Sequence, residues 1–494
     1  MSTEGRYFPP YPDFTLELSK KVLTDTRVGE THLVRPSESD NEESSPESLK
    51  KHNKTNIGKK KNNVDSNKGK INISRNTPTK PEKKPWQITG KIRKPSEVTS
   101  SKPKKPEYMK TGSYFYFKIK PEVDSKVDAL ILKLYESIME AVPGLCGGNS
   151  DTSIYTGYSG IALLNYFLFK KTRDKVYFDT AKGLVSKALK SLKGRRISFL
   201  NGDAGPLALA AIFSVLEQRN EEADDYIHRL IELGDTADSN APDEILYGRA
   251  GYLYALLFVE QETKPLIPDK VLRKTVEKII QSGTKEAARR KSVVPLYYEW
   301  HDKIYLGAAH GYAGILYMLL NASRHMSEYE KENLVKPTLE WLINTKFQSG
   351  NFPSSIGSMT DRLIQWCHGA PGFTHLLSLA SQVYKNPRYR ELALECGDAV
   401  WERGLLKKGY SICHGVSGNA YTFLHLYQMT KDIKHLYRAA SFVDWCTRYP
   451  ANEGMRPDRP FSLFEGKAGL LYFLADAKDP LRALFPCYEL KSSG

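Results

Sequence analysis

Seven copies of the pattern Gly-x-x-Gly punctuate this chain, and their even spacing limits the folds open to it. They begin at Gly157, Gly202, Gly248, Gly311, Gly369, Gly415 and Gly466, so successive first glycines stand 45, 46, 63, 58, 46 and 51 residues apart. One glycine pair means little, but seven at this period imply an internal repeat of one supersecondary unit each. An apolar stretch follows every copy, among them residues 161–169, 207–215 and 420–427. Being apolar on nearly all sides, these read as helices buried all round. Amphipathic stretches run between them. Residues 176–192 place Tyr177, Ala181, Leu184, Ala188 and Leu192 on one face with lysines opposite, and residues 127–142 stripe Leu130, Leu134, Ile138 and Ala141. Seven outer helices therefore alternate with seven inner ones. An open superhelix would need polar capping ends, whereas closing the ring buries all the inner helices. The expected fold is an all-α toroid of seven helical hairpins.

The formal charge of +15 is unevenly placed. Residues 51–110 hold 18 Lys or Arg against four acids, Asp65, Glu82, Glu97 and Glu107. That local excess of 14 leaves about +1 for the rest of the chain. The segment is rich in Lys, Asn, Pro, Ser and Thr, and cannot bury enough apolar surface to fold. Residues 37–110 are therefore expected to be a disordered basic insertion, between an arm at 1–36 and the toroid at 111–494. The run Lys59-Lys60-Lys61 has the charge to touch nucleic acid or an acidic membrane. A solvated linker is the plainer reading of such a run. No stretch reaches about 18 consecutive apolar residues, as a transmembrane helix needs. The opening Met-Ser-Thr-Glu has neither a hydrophobic signal region nor a glycine for myristoylation. Six cysteines are too few for a disulfide scaffold, so a reduced, cytoplasmic protein is expected, with a nuclear or peripheral membrane pool left open.

Metal-ligand chemistry concentrates in repeats four to six. The residue before the first glycine is His310, then His368, then His414, and one position earlier repeats five and six carry Cys367 and Cys413. Equivalent positions of adjacent hairpins lie side by side at one end of a ring. Two thiolates and one or two imidazoles meeting there make a zinc site with soft, tetrahedral ligands. Inner helices that open at Gly-x-x-Gly would also point their N-termini at this end, and their dipoles favour thiolates. Three protein ligands would leave a position for water or substrate, and four would close a structural site. The other cysteines, Cys146, Cys396, Cys446 and Cys487, read as packing residues.

The segments Phe199-Leu200-Asn201-Gly202-Asp203-Ala204-Gly205-Pro206, Leu246-Tyr247-Gly248-Arg249 and Gly307-Ala308-Ala309-His310-Gly311 form longer motifs. So do Trp366-Cys367-His368-Gly369-Ala370-Pro371-Gly372, the run from Lys407 through Ser411-Ile412-Cys413-His414-Gly415, and Pro460-Phe461-Ser462-Leu463-Phe464-Glu465-Gly466. In these, and in its opening Arg6-Tyr7-Phe8-Pro9-Pro10-Tyr11, the chain resembles the LanC-like family, the eukaryotic relatives of the bacterial lanthionine synthetase cyclases. The resemblance spans residues 112–490. The basic insertion is the main departure.

The resemblance implies an α/α toroid holding one zinc, with Cys367, Cys413 and His414 as ligands. It sets His368 aside, because bacterial relatives carry tyrosine beside the matching cysteine. It further implies that glutathione is the thiol, added to dehydroalanine or dehydrobutyrine in proteins or peptides, or to other electrophiles, to form a thioether. Zinc suits this chemistry because a coordinating metal deprotonates a thiol at neutral pH. The enolate left by addition needs a proton, and His310 is the candidate acid by ring position and family match. Asp203, in the matching loop of repeat two, would orient groups or share a proton, or else cap its helix. By the same resemblance Lys408, Arg456, Asp458 and Arg6 contact glutathione, an ordinary surface charge being the alternative for each arginine. Arg456-Pro457-Asp458 is one residue shorter than the family's Arg-x-Pro-Asp, which leaves the register around Arg456 and Arg459 open. A non-catalytic scaffold that binds zinc and glutathione is the competing expectation.

Overall fold

A computed structural model of the chain describes residues 6–26, 116–147, 150–235, 241–263, 266–454 and 456–491. Residues 27–36 of the expected arm and the whole basic insertion lie outside them. The described chain begins with α1 (Leu16–Val22), whose cap Thr15 accepts a hydrogen bond from the Leu18 N–H at 3.0 Å. Strand β1 (Leu23–Thr26) then pairs antiparallel with β2 (Tyr116–Ile119), so a short hairpin brackets the insertion. These strands are four residues long, too short for an alternating pattern to reveal.

Fourteen helices follow among the described residues. The outer set is α2 (Pro121–Leu145), α4 (Lys175–Leu189), α6 (Asn220–Asp235), α8 (Asp269–Arg290), α10 (Lys336–Ile343), α12 (Pro387–Arg403) and α14 (Ile433–Cys446). The inner set is α3 (Tyr158–Thr172), α5 (Ala204–Leu216), α7 (Arg249–Glu262), α9 (Tyr312–Asn321), α11 (Ala370–Val383), α13 (Val416–Thr430) and α15 (Lys467–Ala477). Each inner helix touches the next, and α15 packs on α3 and on α2, which closes the ring. Inner helices are buried on all sides, as α5 shows from Ala204 to Ser214, whereas α2 buries one stripe that includes Val127, Leu130, Leu134 and Ile138. The outer helix of repeat four is irregular. A wide turn at Glu330–Val335 precedes α10, where Pro337 has no N–H to give the helical ladder.

The glycine repeats hold the inner ring together by close approach. A Cβ on the second glycine of each copy would lie 1.9 to 2.4 Å from the carbonyl oxygen six residues earlier, from Gly418 on Ile412 to Gly372 on Trp366. Only a residue without a side chain lets the turn fold back onto its own helix. A further pair, Gly144 and Gly147, lies at the end of α2, opens no helix and stands outside the repeat.

Backbone hydrogen bonds then link all seven turns. Tyr155 donates to Leu200, Phe199 to Gly251, Ile245 to Ala309, Ala309 to Cys367, Cys367 to Cys413, Cys413 to Phe464, and Phe464 back to Tyr155, at 3.0 to 3.4 Å. The far end is built differently. There the C-terminal segment crosses the ends of the inner helices, with Gln428 donating to the carbonyls of Pro480 and Ala483, and the Lys491 N–H to Gln261 at 2.5 Å.

Candidate active site

The turns that precede the inner helices carry the candidate site. Two residues before each first glycine the chain reads Tyr155, Leu200, Leu246, Ala309, Cys367, Cys413 and Phe464, and one residue before it reads Thr156, Asn201, Tyr247, His310, His368, His414 and Glu465. The hydrogen-bonded ring sets these columns side by side.

Cys367, Cys413 and His414 converge, their ligand atoms all within 4.8 Å of one another. His368 is not in this group. Both cysteines are buried and His414 is half-buried. The Tyr155 hydroxyl of repeat one donates to Cys413 Sγ of repeat six at 2.8 Å, and its ring stacks at 4.7 Å on Phe464 of repeat seven between them. Burial, then the neighbouring Cys367 sulfur, pushes the Cys413 thiol well above its ordinary value. The Cys413 sulfur therefore resists carrying charge unless a cation joins it. A pair of sulfurs with one imidazole is the donor set zinc prefers, so these residues fit that metal.

His310 stands two turns along the ring. Its Nδ1 meets Glu244 Oε2 at 2.7 Å, and Glu244 is buried while His310 keeps 23% of its side chain exposed. The Glu244 carboxylate also accepts from the N–H groups of Leu246 and Tyr247 at 2.9 and 2.5 Å. A carboxylate held this firmly fixes the imidazole with Nδ1 protonated and leaves Nε2 facing outward. Glu244 stands four residues before Gly248, where repeats one, two, six and seven carry serine, and the neighbouring turn of repeat four sets His310 against it. Tyr155 was legible, since it occupies the cysteines' own register position.

An aromatic wall rises beside His310. Tyr247 lies nearly parallel to the imidazole, 6.2 Å away, and Trp300 stacks on Tyr247 at 6.2 Å. Trp300 is presented by a tight turn in which it exchanges backbone hydrogen bonds with Lys303, and His301 and Asp302 both hold positive φ angles. Non-glycine residues seldom adopt that geometry. The long spacing from repeat three to four accommodates this turn. Tyr305 lies between His310 and His368, 5.7 and 6.0 Å from their rings. Burial lowers His368 to about 4, and its Nδ1 has no partner among the described residues.

His414 also lines a cleft of about 290 Å³. It is lined by the cations Lys408, Arg456 and Lys467 and the acids Glu453, Asp458 and Glu465. Three of the residues expected to hold glutathione thus share one cavity with a candidate ligand. Arg6 lies next to it by backbone, its carbonyl accepting from the Lys407 N–H at 3.0 Å while Tyr7 bridges to Leu406. Asp203 sits elsewhere. Its carboxylate accepts from the N–H groups of Lys193 and Gly194, at 3.0 and 2.5 Å, and makes no cap on α5.

The family model for lanthionine synthetase C-like proteins matches residues 148–490. The chain belongs to this family. It is 43% identical over 374 residues to a zebrafish (Danio rerio) protein named Glutathione S-transferase LANCL1, covering 74% of this chain and 91% of that one. It is 34% identical over 370 residues to the LanC-like protein GCL1 of Arabidopsis thaliana, covering 71% and 84%. Nisin cyclase shares the fold, with a TM-score of 0.57 at 16% identity over 73% of this chain and 95% of the cyclase. The family toroid is the ring described above.

Proposed function

We propose that this protein is a zinc-dependent transferase that adds the glutathione thiol to electrophiles such as dehydroalanine or dehydrobutyrine residues in proteins and peptides. One observation carries the reading: the cleft that reaches His414 presents three cations and three carboxylates together. Glutathione is a zwitterion with two carboxylates and one ammonium, and Lys408, Arg456 and Lys467 match the former as Glu453, Asp458 and Glu465 match the latter. The name of the zebrafish relative, a glutathione S-transferase, supports the same assignment.

Cys367, Cys413 and His414 would hold the zinc, and Tyr155 steadies Cys413. Zinc bound there supplies the means to deprotonate a thiol at neutral pH and keep it nucleophilic. In the addition the thiol gives up its proton, its sulfur bonds to the β-carbon of the dehydro residue, and the α-carbon takes up a proton. His310 Nε2 takes up, by way of solvent, the proton that the thiol gives up and delivers it to the α-carbon, and Glu244 at Nδ1 orients the ring and balances its charge. Tyr247, Trp300 and Tyr305 offer the electrophile a flat apolar rest beside His310. All six cysteines are free, in keeping with a cytoplasmic setting, and among the described residues no helix is long and apolar enough to cross a membrane.

The test mixes purified protein and glutathione with a dehydrobutyrine-containing peptide and follows the product by mass spectrometry, with Cys413→Ala and His310→Ala alongside. A glutathione adduct made by wild type and lost with either variant is expected. A fully zinc-loaded wild type that makes none would leave a scaffold that binds without turnover.

A further inference from the structure

A second cluster of ligand-type side chains lies inside the ring, towards the end crossed by the C-terminal segment. His375 on α11, His425 on α13 and Glu489 bring their ligand atoms within 4.8 Å of one another. His425 stands nine residues into α13, roughly 14 Å from its start at 1.5 Å per residue, so the cluster is separate from the turns. The surroundings are aromatic, with Tyr317, Phe485 and Tyr488 packed edge-on against the His375 ring.

Hydrogen bonds set the state of each group. His375 Nδ1 faces the Pro371 carbonyl at 3.1 Å and must donate to it, because a carbonyl only accepts. Its Nε2 then points a lone pair into the cluster, 3.5 Å from Glu489 Oε2, and has no hydrogen bond. His425 Nδ1 meets Glu489 Oε1, which leaves its own Nε2 buried and equally without a partner. The Glu489 carboxylate also accepts from the Phe485 N–H at 2.9 Å. Buried polar atoms are rarely left unpaired, because each such atom costs its desolvation.

A proton on His375 would satisfy one nitrogen and leave the other. A divalent cation in the cluster would instead draw on a ligand atom from each of the three side chains, which lie within 4.8 Å of one another, and the backbone carbonyl on the far nitrogen of His375 is the outer partner that metal-binding histidines usually have. We propose that His375, His425 and Glu489 form a second, buried site for a divalent transition-metal ion of zinc's kind, which ties the C-terminal segment to α11 and α13. Two imidazoles and a carboxylate suit such ions rather than calcium or magnesium. His375 is 1% exposed, while His425 keeps 14% of its side chain accessible.

The experiment measures metal content and cobalt spectra on the full-length protein. Wild type is expected to hold two equivalents of zinc, and His425→Gln and Glu489→Gln one each. Cobalt-loaded His425→Gln should keep the sulfur-to-metal charge-transfer band of the cysteine site, which also reports that the variant has folded. Cys413→Ala should lose that band and retain one equivalent. If wild type shows no such band yet loses its metal with His425→Gln, this site stands and the cysteine site fails. A wild type that holds one equivalent, unchanged in His425→Gln and Glu489→Gln, overturns the proposal.

Discussion

The two ends of the inner ring use the same residue types in different settings. At the turn end, His310 meets a buried carboxylate, keeps 23% of its side chain exposed and stands beside an open aromatic wall. At the C-terminal end, His375 and His425 share Glu489, with exposures of 1%, 14% and 6% for their side chains, and face one another. An open histidine–carboxylate pair can pass a proton to something that arrives. A closed one can only hold what is already there. Exposure, more than residue identity, separates a reactive site from a fastening.

Changes at the turn end should cut turnover while sparing stability. His310→Asn is expected to lower the addition rate by roughly a hundredfold to ten-thousandfold, the usual worth of a positioned proton donor. Glu244→Gln should cost less, about tenfold to a hundredfold, because the acid remains and only its orientation and charge balance weaken. Steady-state kinetics alongside thermal melts would tell these apart from unfolding. Equal losses of rate and stability would break the comparison.

The frame beneath the site is less tolerant. Gly418→Ala would place a Cβ 1.9 Å from the Ile412 carbonyl oxygen, one residue before Cys413. A loss of about 3 kcal/mol or more is expected in denaturant unfolding, with metal binding weakened too.

At the other end, stability should follow pH. Asp476, on α15, accepts from the Leu484 N–H at 3.0 Å and pairs with Lys171 at 3.1 Å, yet burial raises it from 3.8 to about 6. The folded state therefore keeps the proton that the unfolded chain gives up first, so stability present near pH 4 is lost as pH rises towards 6. Asp476→Asn lacks this titration. Relative to wild type it should gain up to about 3 kcal/mol between pH 4 and pH 7, with its rate of addition unchanged. A shift the other way in pH-resolved melts would refute it.

The smallest effect belongs to the outer ring. Gly183 lies mid-helix in α4 with open space where a Cβ would stand. Gly183→Ala should add about 0.5 to 1 kcal/mol by restricting the unfolded chain, with neither end of the ring disturbed.

The helical ring was readable because burial on all sides and on one stripe leave different periodicities, and because Cys367, Cys413 and His414 recur at fixed offsets from glycine. Glu244, Glu489, His375 and His425 are not marked in this way. Their residue types do not recur from repeat to repeat, and Glu489 lies beyond the last repeat, so pattern alone could not pair them. The Trp300 turn was hidden for another reason: neither His301 nor Asp302 is a glycine, although both take the backbone form that glycine favours.

The circuit of hydrogen bonds through the seven turns makes the reactive centre a test of completeness. Cys413 is seated by the Phe464 carbonyl, and Phe464 in turn by Tyr155 from the first repeat. A chain cut short before Phe464 would possess every sulfur and imidazole of the centre and still lack their seat. Under the proposed function, addition should therefore require that the last repeat has found the first.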